Sequence, residues 1–419
     1  MHARRRFLRD ALAVLATGPA LAQAARAPTP FAADFDALWQ AIERDYAYLE
    51  RGHDWRGAAG RWRPRAATAR TREELVVALE GAVAELSDEH VTLDAHLPGS
   101  ARPVPMASDL WAEWVGKDAT IVAVRAGSVA DVAGAVPGMR VLAIQGTAVD
   151  QAVRKLLRRS RQADPRARDW ALRRLLAGPW SGALALEVET GGRKSRLAIE
   201  REDHPPAGTP PLVVRRVGED RALAYLRLKD NLGEPGLVQH FDAALQHLRA
   251  SRGLILDLRE TPSGGSPEVA RALLGRFVTE DSPWVTRAAR GAADAPAERV
   301  SPRGPFAFAG RTAVLVDRWT AGEGESLAVG LESAARATLI GTPMAGLRGQ
   351  ARALRLPASG IVLRYPAVRV LRADGTPREA TRPAIAVDIV SPSGGPGDPI
   401  LYQALKFFEA APPPRRPDG

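Results

Sequence analysis

The sequence predicts an α/β protein in three parts: an N-terminal helical segment, a small β-rich module and a larger core of alternating strands and helices. Three observations carry that reading. Apolar residues recur at helical spacing through Phe35, Leu38, Ile42, Tyr46 and Leu49, and again through Leu75, Leu79, Val83 and Leu86. Between residues 104 and 203, short apolar runs are punctuated by glycine turns. From Leu212 onward strand and helix patterns alternate around Thr312–Glu325, where a buried strand passes through a turn with Gly322 and Gly324 into a helix carrying Leu327, Val329 and Leu331. A strand–turn–helix of this kind presents backbone N–H groups at a helix N-terminus and an exposed position for a nucleophile.

Composition narrows the function classes. With 419 residues and 45% hydrophobic content the chain can bury sizeable cores. The net charge of +10 comes from scattered arginines, without a basic stripe interleaved with aromatics, so nucleic acid is not an expected partner. Cysteine is absent, which excludes thiol chemistry, disulfides and cysteine-held zinc.

Taken in order, the chain opens with Arg4-Arg5-Arg6-Phe7-Leu8, a short apolar run from Ala11 to Leu21, and Ala22-Gln23-Ala24. This reads as a signal peptide of the twin-arginine type over residues 1–24, too short to span a bilayer, and predicts export to the periplasm or another extracytoplasmic space. Its removal leaves a net charge of +7 and no stable membrane span. A helical domain is expected over residues 29–100, its second helix starting at Thr71 with a capping box to Glu74 and ending in the polar turn Ser87-Asp88-Glu89-His90. In residues 104–203, Thr120–Val124 and Arg140–Ile144 read as strands and Asp150–Arg158 as a basic, solvated helix. Residues 205–211 form a proline-rich linker. The core, 212–409, is expected to carry strands at Arg221–Leu228, Gly253–Leu258 and Ala337–Gly341, with helices at Pro235–Ser251 and Glu268–Phe277. Functional groups belong at the C-terminal ends of such strands.

Two resemblances follow from these motifs. Gly127-Ser-Val-Ala130, Ala133-Gly134 and Gly138 to Gly146 resemble the core of a PDZ domain, which implies capture of extended peptides by strand addition. Leu254–Gly265, Asp317–Glu325 and Leu339–Gly346, in that order, resemble the C-terminal processing (tail-specific) and tricorn-core serine peptidases. That resemblance implies a spiral core of the crotonase/Clp-protease type and hydrolysis of peptides or protein C-terminal tails. It implies a general base at His90, an orienting carboxylate at Glu379, and oxyanion donors on the backbone of Gly264 or Gly265 and of Glu323. No cofactor is implied.

One departure stands at the centre. The family pattern T-x-S-x-x-E reads Thr320-Ala-Gly-Glu-Gly-Glu325 here, so Gly322 occupies the place of the nucleophilic serine. Losing that group costs about 10⁶ in rate. Ser326, one helical turn on, is the nearest substitute, with Thr320 and Ser263 as further candidates. Arg348 stands in the loop where the family's other branch has a lysine base, and a guanidinium cannot serve as one. Glu89 precedes His90 and is expected to raise the imidazole pKa. His240 and His247 lie seven apart on one helix and read as surface residues, Trp319 as core or pocket wall, and Asp257 as a turn anchor. No metal-ligand spacing is present. Two functions are therefore expected: an exported serine-type peptidase working through a non-standard nucleophile, or a non-catalytic peptide-binding scaffold or adaptor.

Overall fold

A computed structural model describes residues 29–49, 54–200, 211–230, 232–292, 295–390 and 397–410. The leader and most of the 205–211 linker lie outside the described residues.

The central layer is a six-stranded sheet whose strands, in spatial order, are Ile385–Ala386, Thr338–Gly341, Arg311–Val316, Gly253–Asp257, Leu223–Leu228 and Leu212–Val217. All neighbours are parallel except the last pair. Period-two alternation splits the buried strand residues between two faces. Leu254, Leu256, Val314 and Val316 pack with Phe241, Leu273, Leu327 and Leu331 from helices Gly236–Leu248, Pro267–Leu274 and Glu323–Ala335. Ile255, Ala313, Leu315 and Ile340 pack on the other side against Ile400, Ala404 and Phe408 of the terminal helix Pro399–Glu409. With both faces covered, these strands read as continuous apolar runs. The strand expected from Arg221 starts at Leu223, because Glu219–Arg221 is a 3₁₀ turn with Asp220 at positive φ.

Three helices open the described chain, Phe31–Asp45, Trp55–Thr68 and Arg72–Ala84, where the spacing predicted two. The middle one contains Gly57, Gly60 and Pro64, which weaken any helix signal. Packing supplies what propensity lacks. Trp55 and Ala58 are buried, and the indoles of Trp39 and Trp55 each donate to the other residue's carbonyl, at 3.3 and 3.2 Å. At the third helix Thr71 Oγ accepts from Glu74 N at 3.2 Å, while the Glu74 carboxylate reaches Arg70 N at 2.7 Å, one residue before the cap. These helices do not close a core alone. Their apolar faces join Leu363, Tyr365 and Ala367 from a second, antiparallel sheet formed by Thr92–Leu93, Val362–Arg372, Ser282–Ala289, Ala297–Val300 and Gln350–Arg355, and Leu356 and Ile361 from the turn between Gln350–Arg355 and Val362–Arg372.

Residues 110–199 form a third, antiparallel sheet, in the order Leu110–Val115, Asp118–Val124, Arg140–Ile144, Leu184–Thr190 and Arg193–Ile199, with its own apolar cluster. The basic helix runs from Val149 to Leu156, and a further helix, Pro165–Ala177, follows it. This second helix covers the outer edge of Leu110–Val115. The Asp169 carboxylate accepts from Trp114 N at 3.2 Å, and the Trp114 indole donates to Arg168 O at 3.3 Å. A fifth apolar cluster joins this module to the core through Val104, Trp111 and Trp319, whose indole donates to Ser108 O at 2.8 Å. No described helix is long and apolar enough to cross a membrane.

Candidate active site

Two loops meet above the C-terminal ends of neighbouring parallel strands. The chain leaving Gly253–Asp257 runs beside the chain leaving Arg311–Val316, with Thr261 bridged to Thr320 and Ala321 N bonded to Thr261 O at 3.2 Å. The Thr320 hydroxyl is buried and donates to Leu258 O at 3.1 Å, fixing the two turns to each other. Asp257, at the strand end, accepts from the Tyr225 hydroxyl and from Arg259. Burial works against its charge, but the Arg259 guanidinium outweighs it and holds the pKa below the ordinary value. It is a turn anchor, as expected.

Gly322 caps helix Glu323–Ala335 at φ +56°, ψ −116°, a backbone conformation that side-chain-bearing residues adopt only under strain. Its N–H donates to the Glu325 carboxylate at 3.0 Å, and the other oxygen of Glu325 takes Gly346 N at 2.9 Å. Burial raises the Glu325 pKa to about 7, against the lowering effect of Arg378. Gly264 and Gly265 stand opposite at φ +89° and +129°. A Cβ placed on Gly322 would meet Gly264 Cα at 2.7 Å, closer than a real carbon contact allows. The glycine turn is held down by Asp230, which accepts from Ser263 N at 2.9 Å and from Ser263 Oγ at 2.5 Å.

A cavity of about 250 Å³ opens here, lined among others by His90, Gly264, Gly265, Gly322 and Glu323. Five of the seven sequence-selected positions thus share one cavity wall. His90 is held from both sides. Asp88, itself buried and raised to about 6, accepts from His90 N at 2.9 Å, and the imidazole Nδ1 lies 2.6 Å from Arg348 O. A carbonyl partner requires a proton on Nδ1 and leaves the lone pair on Nε2. Burial, with a further push from Arg378, lowers the imidazole to about 4. The upward shift expected from Glu89 is not the outcome: burial dominates, and the Glu89 carboxylate is paired with Arg173 on helix Pro165–Ala177 at 2.6 Å.

The remaining two positions lie elsewhere. Ser326 is fully buried and not part of the cavity lining. Its hydroxyl receives Arg378 Nη1 at 2.8 Å and faces Gly322 O at 3.4 Å, so it is held inside the helix packing. Glu379 is also absent from the lining. It stands beside the Tyr48 phenol, whose pKa burial and that carboxylate both raise, and its Oε2 is buried with no hydrogen-bond partner. Among the described residues no hydrogen bond joins Glu379 to His90. His240 and His247 are exposed, and no described group of three ligating side chains could hold a metal.

Sequence reasoning missed Arg378. Wholly buried, it donates from Nη1 to Gly322 O at 2.9 Å, and from Nη2 to Leu347 O and Gly349 O at 3.0 and 2.8 Å. One guanidinium ties the strand–turn–helix, its helix and the 347–349 loop together. Nothing distinguishes it in a chain this rich in arginine.

The architecture brings a strand–turn–helix and a glycine turn, at the C-terminal ends of a parallel sheet, together on one cavity. Residues 222–391 match the model of peptidase family S41. Among solved structures, the photosystem II D1 C-terminal processing protease is similar over 90% of this chain and 96% of its own, with a TM-score of 0.55 and 18% identity. Mature CPAF in complex with lactacystin aligns over 90% of this chain and 96% of its own, with a TM-score of 0.57 and 14% identity. At such identities the likeness is one of fold. No curated protein matches the chain in sequence.

Proposed function

We propose that this protein binds peptides or protein C-terminal tails on an S41 frame whose nucleophile position is Gly322, and that it does not turn them over. The observation that supports this most directly is the closure of that position. It carries no side chain, and Gly264 Cα stands only 2.7 Å from where a nucleophile's Cβ would be. The surrounding groups that hydrolysis would use, a neutral His90 and the backbone of Gly264, Gly265 and Glu323, frame a binding cavity here. Ser326 is an unsuited substitute because its hydroxyl is buried against Arg378. Glu379 makes no hydrogen bond to His90 among the described residues and acts on it only through its charge, from its place beside Tyr48. The module of residues 104–203, read as PDZ-like, is proposed to hold the cavity rim, since helix Pro165–Ala177 already covers the edge at Leu110–Val115. We place the protein outside the cytoplasm on the pattern of residues 1–24.

The test is a fluorophosphonate probe and a fluorogenic peptide library applied to the purified full chain, alongside peptide binding by anisotropy. Binding without serine labelling or cleavage is expected. Stoichiometric labelling would overturn the proposal, and mapping would show whether Ser263, the cavity's own serine, had taken the role.

A further inference from the structure

The charged groups around the cavity are unevenly matched. Its two carboxylates are each bound to an arginine behind the wall, Glu89 to Arg173 at 2.6 Å and Glu323 to Arg287 at 3.0 Å. Of its three arginines, Arg378 is turned inward onto three backbone carbonyls and the Glu325 carboxylate at 3.6 Å, and Arg352 shares Asp45 at 3.2 Å. Arg364 is exposed and has no carboxylate partner among the described residues. It lies on Val362–Arg372 between Thr92 on one neighbouring strand and Ala353 on the other, both small and uncharged. The wall therefore presents one uncompensated guanidinium. A carboxylate is the group that matches it, by charge and by its two-pronged geometry.

The backbone beside it is also available. Strand Gln350–Arg355 pairs only with Val362–Arg372 among the described strands, and four of its residues, Gln350 to Ala353, line the cavity. An unpaired strand edge is a template for an extended chain. Apolar lining is supplied by Pro103–Met106, of which Met106 is 44% exposed.

We propose that the cavity selects its peptide by a carboxylate held on Arg364, with the peptide extended along the free edge of Gln350–Arg355. The proposal rests on the peptide-binding reading above. Cavity carboxylates would not repel such a ligand, because each is already neutralised by its own arginine.

The experiment is fluorescence anisotropy with the full chain at low salt and three labelled pentapeptides, Ala-Val-Xaa-Val-Ala. Xaa is Glu or Gln with an amidated end, and the third peptide is the Gln form with a free C-terminal carboxylate. A carboxylate peptide should bind about tenfold tighter than the amidated Gln peptide, with the advantage fading in salt. Whether the Glu or the free-acid form shows it identifies the source of the carboxylate. Arg364→Gln should abolish the preference, and Arg364→Lys should keep part of it. Equal binding of all three peptides, or a preference that survives in Arg364→Gln, would overturn this inference while leaving peptide binding intact. No binding by any peptide would remove both.

Discussion

Gly322→Ser, the substitution that would supply a nucleophile on the reading proposed above, should fail on its own. Two costs are visible at the site. A side chain at φ +56°, ψ −116° carries about 1–3 kcal/mol of backbone strain. The new Cβ would stand 2.7 Å from Gly264 Cα, and an overpacked backbone contact adds about 1–3 kcal/mol. Together the variant should lose about 2–6 kcal/mol in urea unfolding and gain no peptide hydrolysis or fluorophosphonate labelling. The obstruction is the glycine turn, and its latch is Asp230 on Ser263. Adding Asp230→Ala should therefore cost less in the serine variant than in the wild type. A double-mutant cycle should give a favourable coupling of about 1 kcal/mol, and labelling should appear only in the double variant. A single Gly322→Ser chain with the wild-type urea midpoint and stoichiometric labelling would refute the argument, because the turn would then yield without cost.

Other consequences follow from the same contacts. Arg378→Met should destabilise the chain by about 3–5 kcal/mol, since it strands the buried Glu325 carboxylate and four acceptor groups; urea unfolding measures this. The His90 imidazole should titrate near pH 4 by NMR. Its folded pKa lies below the ordinary 6.5, so between these values the unfolded chain binds the extra proton and stability falls as pH drops. Glu325, raised to about 7, works in the opposite direction between its ordinary 4.5 and 7, so the His90 share is read as the difference from His90→Asn. A His90 that protonates near 6.5 would contradict the packing described. Asp169→Ala should speed amide exchange at Trp114, because that edge N–H loses its acceptor.

The elements legible in the sequence are those whose burial writes a local pattern. Gly253–Asp257 and Arg311–Val316 are apolar along their length because helices cover both faces, and the glycines after them mark turns no other residue could make. Trp55–Thr68 was illegible for the opposite reason: tertiary contacts through Trp39 and Trp55 hold a segment that its glycines and proline argue against. Helix Pro165–Ala177 did leave a signal, with Asp164 capping Arg166 N at 3.0 Å and a proline in its first turn, but its dense arginines mask the apolar stripe of Trp170, Ala171 and Leu176. Within the site, backbone-defined positions such as Gly322, Gly264 and Gly265 were readable. Side-chain pairings were not: Glu89 was assigned to the histidine beside it in sequence, yet binds Arg173 across 84 positions. Adjacency along the chain says little about which charge a carboxylate will meet in space.

The guanidinium of Arg378 has a temporal meaning as well. It secures Gly322, 56 positions earlier, and Leu347 and Gly349, 31 and 29 earlier, so the pieces of the cavity floor are fastened by one of the last residues of the core to be synthesised. Closure over such separations is slow, and a growing chain that stops short of this arginine has sheet strands and a strand–turn–helix but no anchored floor. On the peptide-binding reading proposed above, a copy truncated before Arg378 should therefore bind its peptides more weakly than the full chain.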